Sequence, residues 1–364
     1  MSELFSPVTL RGLSLPNRIV VSSMCQYNSE QGNANDWHLM HLGQFSMGAA
    51  ALVMTEATAV SAAGRITPHC LGLYSDDNEQ TLKHVLAFCR EYGVTAFGIQ
   101  LAHAGRKAST HRPLDGAGPL AEHEHAWPTI APSARPYRPD WHTPQALDRE
   151  GLNQVKAEFV ASAVRAARLG FEVAELHSGH GYLLHQFLSP LSNHRDDEYG
   201  GNTVNRCRFV LEVFEAVRAV WPQDRPCGIR VSASDWTDGG WKLAETVRLA
   251  HELKVLGCDF IDVTSGGLDP AQKILVEPGY QVHFAAEVKA KTGLHTWAVG
   301  MITEARQAEA IIANGQADCV ALARAMMFNP RWAWRAALEL GAETPYSRMY
   351  QRCQPTLWPG IPQK

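Results

Sequence analysis

The sequence predicts a single (β/α)8 TIM barrel that spans residues 1–364. Eight short runs rich in β-branched and apolar residues recur along the chain, as expected of buried parallel strands. Amphipathic helical segments lie between them, so strand and helix alternate. A doubly wound sheet is the alternative, but no GxGxxG follows an early strand, and we therefore favour the closed barrel.

The predicted strands, in chain order, are RIVVSSMC (18–25), ALVMTEATAV (51–60), TAFGIQLAHAG (95–105), FEVAELHS (171–178), CGIRVSAS (227–234), DFIDVTSGG (259–267), HTWAVGMI (295–302) and DCVALAR (318–324). Apolar residues with helical spacing predict outer helices at 154–170, 206–221, 243–257 and 304–315. One segment breaks this alternation, the stretch 106–150, which is rich in proline and carries Trp127, Tyr137 and Trp141. A long loop of this kind inside a compact domain is usually functional, and we expect it to cap the barrel.

The composition is that of a globular protein that acts on small molecules. Hydrophobic residues make up 45% and charged residues 19%, with a net charge of -4. No block of Lys and Arg suggests a nucleic-acid or membrane partner. The start of the chain lacks an export signal, and the eight cysteines include no CxxC pair. We expect reduced thiols and a cytoplasmic location.

Reactive side chains are concentrated at the predicted carboxyl ends of the strands, where barrels of this type carry their chemistry. The fourth strand leads into His177, His180 and Tyr182. Three interpretations of the two imidazoles compete: a metal site, a device that polarises a substrate, and packing without function. A second HxxH pair, His38 and His41, lies in a predicted helix, so the spacing alone does not decide.

The late strands predict a ligand that carries a phosphate. AVGMIT (298–303) and LARAMM (322–327) follow strands seven and eight, where glycine-containing turns commonly bind phosphate, and Arg324 adds a charged donor. Arg230 lies inside an apolar run, where an unpaired guanidinium is costly, so it should face an anion or an electron-rich ring. With Gln100, these donors suit a ring that accumulates negative charge, as a reduced flavin does.

Together these motifs resemble the old yellow enzyme family, in particular its thermophilic-like subgroup of bacterial ene-reductases. The resemblance covers nearly the whole chain and rests on NRIVVSSMCQY (17–27), EATAVSAAGRIT (56–67), IQLAHAGRKA (99–108), HSGHGYLLHQFLSPLSNHRDDEYGG (177–201), NR (205–206), RVSASD (230–235), PGYQV (278–282) and VGMIT (299–303).

The resemblance implies that the barrel binds FMN. The cofactor-binding positions that it implies are Ser23, Met24, Cys25, Ala57, Gln100, Arg230, Ser265, Gly266, Gly300, Met301, Ala323 and Arg324. His177 and His180 would bind the carbonyl oxygen of the substrate, and Tyr182 would donate the proton. Cys25, the fourth catalytic residue that the resemblance implies, would lie close to the flavin and adjust its redox potential. Tyr27 would lie near the substrate.

The implied reaction is a ping-pong exchange. NAD(P)H, with NADPH favoured, would reduce FMN, and the hydride would then pass from flavin N5 to the β-carbon of an α,β-unsaturated carbonyl compound, or to a nitro compound. The tail at 343–364 places Arg352 where the subgroup has an arginine that reaches a neighbouring subunit, which implies a homodimer or homotetramer. Ser23 replaces the subgroup's usual proline and Ala323 its usual glycine, so the geometry around the flavin and the phosphate could differ.

Two other functions stay open from the residues alone. Cys25, His177 and His180 could bind zinc in a barrel hydrolase, although no Asp or Glu stands at the nearby strand ends as a general base. A barrel that binds flavin or phenols without turnover is the second. An FMN barrel of the dienoyl-CoA reductase type would need an iron–sulfur cysteine cluster, which the scattered cysteines do not supply. We expect no metal site.

Overall fold

The computed structural model describes residues 2–361 and has a closed barrel of parallel strands at its centre. The eight strands are, in order around the barrel, β3 (Ile19–Val21), β4 (Leu52–Ala59), β5 (Ala96–Ala102), β8 (Val173–Ser178), β9 (Cys227–Ser232), β10 (Phe260–Thr264), β11 (His295–Ala298) and β12 (Cys319–Leu322), with β12 pairing back to β3. Each begins within three residues of a predicted strand, and the predicted fold is confirmed.

Helices follow the strands on the outside of the barrel. Their bounds are α1 (Asp36–Ser46), α2 (Asp76–Tyr92), α3 (Arg149–Arg168), α4 (Leu183–Leu188), α5 (Thr203–Val220), α6 (Leu243–Val255), α7 (Val282–Thr292), α8 (Ala305–Ala313), α9 (Arg324–Phe328) and α10 (Trp332–Leu340). The four predicted helices correspond to α3, α5, α6 and α8. Within the described residues, no helix is both long and apolar enough to span a lipid bilayer.

A hairpin that the sequence analysis did not predict packs against the interior of the barrel. Strands β1 (Val8–Leu10) and β2 (Leu13–Leu15) pair antiparallel before β3. The side chains of Val8, Leu10 and Leu15 are buried in the same cluster as the interior residues Leu52 and Trp297. The hairpin therefore contributes to the apolar packing inside the barrel.

The Pro-rich segment 106–150 is folded against the loop that follows β4. Thr110 N donates to Ile66 O at 3.0 Å, and Trp127 Nε1 donates to Ala63 O at 3.0 Å. The segment contains a short parallel pair, β6 (Ile130–Ala131) and β7 (Gln145–Ala146). These contacts attach it beside the carboxyl end of β4, and its role as a cap stays a prediction.

Candidate active site

Four polar side chains form one layer inside the barrel, on the adjacent strands β5, β8, β9 and β10. Gln100 Nε2 donates to Glu175 Oε1 at 2.7 Å, and Arg230 Nε lies 3.0 Å from Asp262 Oδ2. All four residues are buried. Arg230 thus has a buried carboxylate partner, which partly meets the cost that the sequence analysis assigned to an unpaired guanidinium.

Burial raises the pKa of both carboxyl groups in this layer. The pKa of Glu175 rises to about 8, and that of Asp262 also rises, in each case because burial penalises the charged form, while Arg230 opposes the rise. The sequence analysis gave Glu175 no role, since it lies inside a predicted strand. The sequence does hold a signal for Glu175. Side chains two residues apart lie on the same face of a strand, so Glu175 is expected on the same face as His177.

Two histidines lie next to each other at the carboxyl end of β8: His177 is within the strand and His180 follows it. Their ring centroids are 5.1 Å apart, and the Tyr182 ring lies 5.4 Å from the His177 ring. His180 Nε2 lies 3.1 Å from Thr264 Oγ1, whereas His177 Nδ1 is buried without a partner. The structure therefore brings three of the four predicted catalytic side chains, His177, His180 and Tyr182, into one group.

Both imidazoles are neutral near pH 7. Burial lowers the pKa of His177 and His180 well below the ordinary value, and the charge of Arg230 lowers both further. A neutral imidazole carries one N–H donor and one acceptor nitrogen, so each ring can donate one hydrogen bond to an oxygen.

The turn that carries His180 and Tyr182 is held through its backbone. His180 has φ +55° and Gly181 φ +74°, in the left-handed region. His180 N donates to Ser232 Oγ at 2.9 Å, and Lys107 Nζ donates to His180 O at 2.8 Å. A side chain at Gly181 would meet Gly267 O at 2.3 Å, so this position requires glycine.

A buried histidine and aspartate support the same turn from behind. Gly181 N donates to His185 Nδ1 at 2.9 Å, and His185 Nε2 lies 2.9 Å from Asp235 Oδ1. Ser189 Oγ and Trp241 N both donate to Asp235 Oδ2, at 2.6 Å and 2.8 Å. Because Nδ1 accepts a hydrogen bond, the proton of a neutral His185 lies on Nε2, toward the carboxylate. The sequence analysis assigned no role to His185.

The thiol and phenols around the site remain protonated. Burial raises the pKa of Tyr182 and Cys25 well above their ordinary values, and it does the same for Tyr27. Cys25 and Tyr27 follow β3, and Gln26 N between them donates to Glu56 Oε2 at 3.1 Å. Tyr182 can therefore give a proton as a neutral phenol.

His38, from the second HxxH pair, has a structural contact beside this loop. His38 Nε2 lies 3.3 Å from Glu56 Oε1, and both side chains are buried. His41 is buried on the same helix and packs edge-on against Phe45, 4.9 Å between ring centroids. The two HxxH pairs thus differ in their surroundings, although their spacing is identical.

A cavity of about 330 Å³ adjoins the histidines, since Thr264 belongs to its lining and also contacts His180. Arg230 and Ser22 line one part of it, and residues 299–303 and 321–325 line another. Gly300 has φ +107°, and a side chain there would meet Gln281 Nε2 at 2.7 Å. Arg324 also lines the cavity, so two guanidinium groups belong to its lining.

This donor set fits FMN. Backbone turns at Gly300 and Ala323 with Arg324 suit a phosphate, and Arg230 suits the carbonyl-bearing part of a flavin ring. Ser22 Oγ and His177 Nδ1 are buried polar atoms without a partner, as expected where a polar ligand completes a site. Met301 lines the same cavity with φ +52°.

The remaining predicted positions lie around this core. Ser23 Oγ is buried without a partner, and Met24 packs against the main hydrophobic cluster. Ala57 and Tyr182 line a small cavity together. Ser265 Oγ donates to Gln281 Oε1 at 2.5 Å, while Gly266 O accepts from Ser232 Oγ, so these two positions brace neighbouring turns.

Arg352 is not part of this group in the single chain. It lies in a short 3-10 helix, Arg348–Cys353, and is exposed. The tail packs on α10 through Tyr346, whose ring centroid lies 4.5 Å from that of Trp334. Its predicted role in a neighbouring subunit stays a prediction. Among the described residues, no group of three or more His, Cys, Asp or Glu side chains is arranged to hold a metal ion.

Comparisons with known proteins identify the family of this chain. The profile of the NADH:flavin oxidoreductase / NADH oxidase family matches residues 3–343. An NADPH dehydrogenase of Geobacillus sp. (strain WCH70) is 43% identical, over 96% of this chain and 98% of its own length. An NADPH dehydrogenase of Bacillus subtilis (strain 168) is 41% identical, over 96% of this chain and 98% of its own.

Solved structures show the same architecture. Morphinone reductase superposes with a TM-score of 0.78 at 26% identity, covering 94% of this chain and 91% of its own. A structure of morphinone reductase in complex with tetrahydroNAD gives a TM-score of 0.77 at 26% identity, covering 95% and 93%. The likeness therefore extends through the whole barrel.

Proposed function

Because the chain belongs to the NADH:flavin oxidoreductase / NADH oxidase family, and is an FMN-using, NAD(P)H-dependent flavin oxidoreductase of the old yellow enzyme type, we propose that it is an ene-reductase. Its oxidising substrate is an α,β-unsaturated carbonyl compound, and nitro compounds are a second acceptor class. The single observation that carries this proposal is the pair of neutral imidazoles beside a protonated phenol.

The two histidines bind and polarise the carbonyl oxygen of the substrate. When bound, FMN supplies a hydride that it has received from NAD(P)H. As that hydride reaches the β-carbon, negative charge develops on the carbonyl oxygen, and the N–H groups of His177 and His180 stabilise it there. By analogy with oxyanion holes, each such donor contributes about 2.7–4 kcal/mol to the lowering of the barrier.

Tyr182 holds the proton that the α-carbon receives after the hydride transfer. Its pKa lies well above the ordinary value, so its Oη keeps the proton until the α-carbon becomes basic enough to take it. The strained backbone of His180 and the hydrogen bonds of Gly181 and Lys107 fix where the phenol stands relative to the imidazoles. Gln100 and Arg230 bind the flavin from the barrel side, and Arg324 binds its phosphate.

Spectroscopy of the purified FMN-loaded protein tests the proposal. Under anaerobic conditions NADPH should bleach the flavin absorbance, and 2-cyclohexenone should restore it. A flavin that NADPH bleaches but that neither 2-cyclohexenone nor a nitro compound reoxidises would contradict the ene-reductase proposal. A yellow protein that neither NADPH nor NADH bleaches would favour a binding protein without turnover.

Substitution of one imidazole sharpens this test. His177→Ala should weaken the binding of 4-hydroxybenzaldehyde about 100-fold, because one donor to the phenolic oxygen is lost, while FMN remains bound. His41→Ala is the matched control, since His41 is a buried histidine of the other HxxH pair and lies in α1. Equal phenol affinity in both variants and the wild type would sink the assigned role of His177.

The oligomer is a separate proposal. Arg352 reaches the site of a neighbouring subunit, and its exposure in the single chain leaves it free to do so. Arg352→Ala should then raise the KM for 2-cyclohexenone without loss of FMN. If the wild-type protein sediments as a monomer and Arg352→Ala has the same activity as the wild type, this role of Arg352 is excluded.

A further inference from the structure

Three cationic side chains surround one aromatic ring beside the site. Lys107 Nζ, Arg138 Cζ and Arg106 Cζ lie 4.7 Å, 5.5 Å and 5.9 Å from the centroid of the Tyr137 ring. Cations are attracted to an aromatic face, but the three like charges repel one another. Arg135, two residues earlier in the same segment, is exposed and acts on Arg106 as a further positive charge.

This cluster lacks the acidic partners that would balance it. Within residues 2–361, none of Arg106, Lys107, Arg135 and Arg138 forms an ion pair with a carboxylate, and Asp269 acts on Arg106 only from farther away. Lys107 Nζ instead donates to His180 O and Gly267 O, and Arg106 Nη2 donates to Leu268 O at 3.0 Å.

The like charges affect the titration of Lys107. Its pKa is lowered to about 7, first by burial and then by Arg106 and Arg138. The whole chain carries a net charge of -4, so the positive charge of the cluster is a local feature and does not reflect a basic protein. A concentration of cations with this cost indicates an anionic ligand.

The cluster extends from the turn that carries His180 and Tyr182 to the solvent. Lys107 Nζ lies 5.0 Å from the centroid of the Tyr182 ring, whereas Arg135 and Arg138 are exposed. At the outer end, Arg135 Nη1 lies 3.0 Å from His194 Nδ1. A ligand whose ring lies at the histidine pair could therefore place an anionic extension along Tyr137.

We propose that the cluster of Arg106, Lys107, Arg135 and Arg138 around Tyr137 binds the phosphate groups of NADPH. The inference rests on the proposed function, since it requires the nicotinamide to lie beside His177 and His180. The pyrophosphate and the 2′-phosphate of NADPH are separated from the nicotinamide by at least one ribose, which matches a cluster that starts beside Tyr182 and ends in solvent. A short carboxylate substrate would reach only the inner end.

The test measures binding rather than turnover. The probe is tetrahydroNADP, an unreactive analogue, titrated into the oxidised FMN-loaded protein while its flavin absorption is followed. Arg138→Gln should raise the dissociation constant about tenfold, as the loss of one charge-assisted contact predicts. Arg138→Lys should recover most of the affinity. The binding of 4-hydroxybenzaldehyde, which carries no phosphate, should not change.

Arg112→Gln is the matched control for charge. Arg112 is an exposed arginine of the same Pro-rich segment, and its Nε lies 2.6 Å from Asp115 Oδ2. The Arg112→Gln substitution removes the same charge as Arg138→Gln. If both variants bind tetrahydroNADP equally weakly, the effect is one of general electrostatics and the proposal is wrong. Flavin reduction by 1-benzyl-1,4-dihydronicotinamide, which has no phosphate, should be equal in Arg138→Gln and the wild type.

Further arms separate the possible sources of the anion. If Arg138→Gln weakens tetrahydroNADP and tetrahydroNAD equally, the pyrophosphate is bound; if only tetrahydroNADP is weakened, the 2′-phosphate is bound. If the variant weakens 4-hydroxybenzoate but neither dinucleotide, the cluster serves an acidic substrate and the proposal is wrong. Wild-type protein that binds phenols but no tetrahydroNADP would instead show that NADPH does not bind beside the histidine pair, which is evidence against the proposed NADPH-dependent reaction itself.

Discussion

The barrel interior has an apolar region and a polar region, and they are completed in different ways. In the apolar region the rings of Phe260 and Trp297 stack, 3.9 Å apart and 9° from parallel, among buried residues of the neighbouring strands and of the β1–β2 hairpin. The chain's own side chains pack this region, in which Trp297 Nε1 is a buried polar atom without a hydrogen-bond partner among the described residues. Its stability arises from apolar burial and close packing.

The polar region leaves hydrogen-bonding groups without partners. Glu175 Oε2, Asp262 Oδ1 and His177 Nδ1 are buried and unpaired within the described residues. Such groups are costly, and a chain selected for stability alone would carry few of them. The contrast indicates that a ligand completes the polar region, while the apolar region supports it.

The largest effect should come from the apolar region. Trp297→Ala removes a fully buried, stacked ring and should lower the free energy of unfolding by about 3–5 kcal/mol. The affinity for FMN should change little in the protein that remains folded. Urea unfolding and fluorescence titration of FMN measure the two quantities, and a loss of FMN affinity without a loss of stability would break the distinction between the regions.

A smaller effect on stability is expected from Asp235, which lies behind the turn that carries His180 and Tyr182. Asp235→Asn turns a buried acceptor into a group that can present an N–H to His185, so it should cost about 1–3 kcal/mol of stability. It also favours the His185 tautomer with the proton on Nδ1, which conflicts with the hydrogen bond from Gly181 N.

The affinity of Asp235→Asn for 4-hydroxybenzaldehyde should fall several-fold while FMN stays bound, and nitrogen-15 NMR of His185 should report the change of tautomer. Ser189→Ala, which removes a different donor to Asp235, is the comparison variant and should leave the tautomer unchanged. An unaltered tautomer in Asp235→Asn would argue against the positioning role of the pair.

The smallest effect, when it is measured per pH unit, is a pH dependence within the polar region. The pKa of Glu175 is about 8 in the folded protein, above the ordinary value of 4.5, so the folded state binds more protons between these limits. Raising the pH through that window should therefore destabilise the wild type, with a slope of at most about 1.4 kcal/mol per pH unit.

Glu175→Gln removes this titration and can still accept the hydrogen bond from Gln100 through its amide oxygen. The difference in melting temperature between Glu175→Gln and the wild type should grow from pH 5 to pH 8 and then level off. A difference that is constant with pH would show that Glu175 is ionised throughout.

Several parts of the structure could be predicted from local pattern. Buried parallel strands are apolar on both faces, so all eight barrel strands appear as continuous apolar runs. The β1–β2 hairpin was missed because strands of three residues are too short for a periodic pattern, and α4 was missed for a similar reason. Tyr182 and the His177–His180 pair were found because they lie at or just after the carboxyl end of a strand.

Other features depend on residues that are distant in the chain. His185 and Asp235 are fifty residues apart, and Asp262 raises the pKa of Glu175 only because β8, β9 and β10 are adjacent in the barrel. The cluster around Tyr137 forms because the Pro-rich segment returns to the residues that follow β5.

The order of apolar and polar residues along the chain was sufficient to determine the barrel and the strand ends that carry its chemistry, because hydrophobic burial acts through local periodicity. The protonation of the imidazoles and carboxyls, the difference between the two HxxH pairs and the unbalanced cations around Tyr137 were decided by the tertiary structure alone. Desolvation and Coulomb interactions depend on distances in space, and those exist only once the barrel has closed.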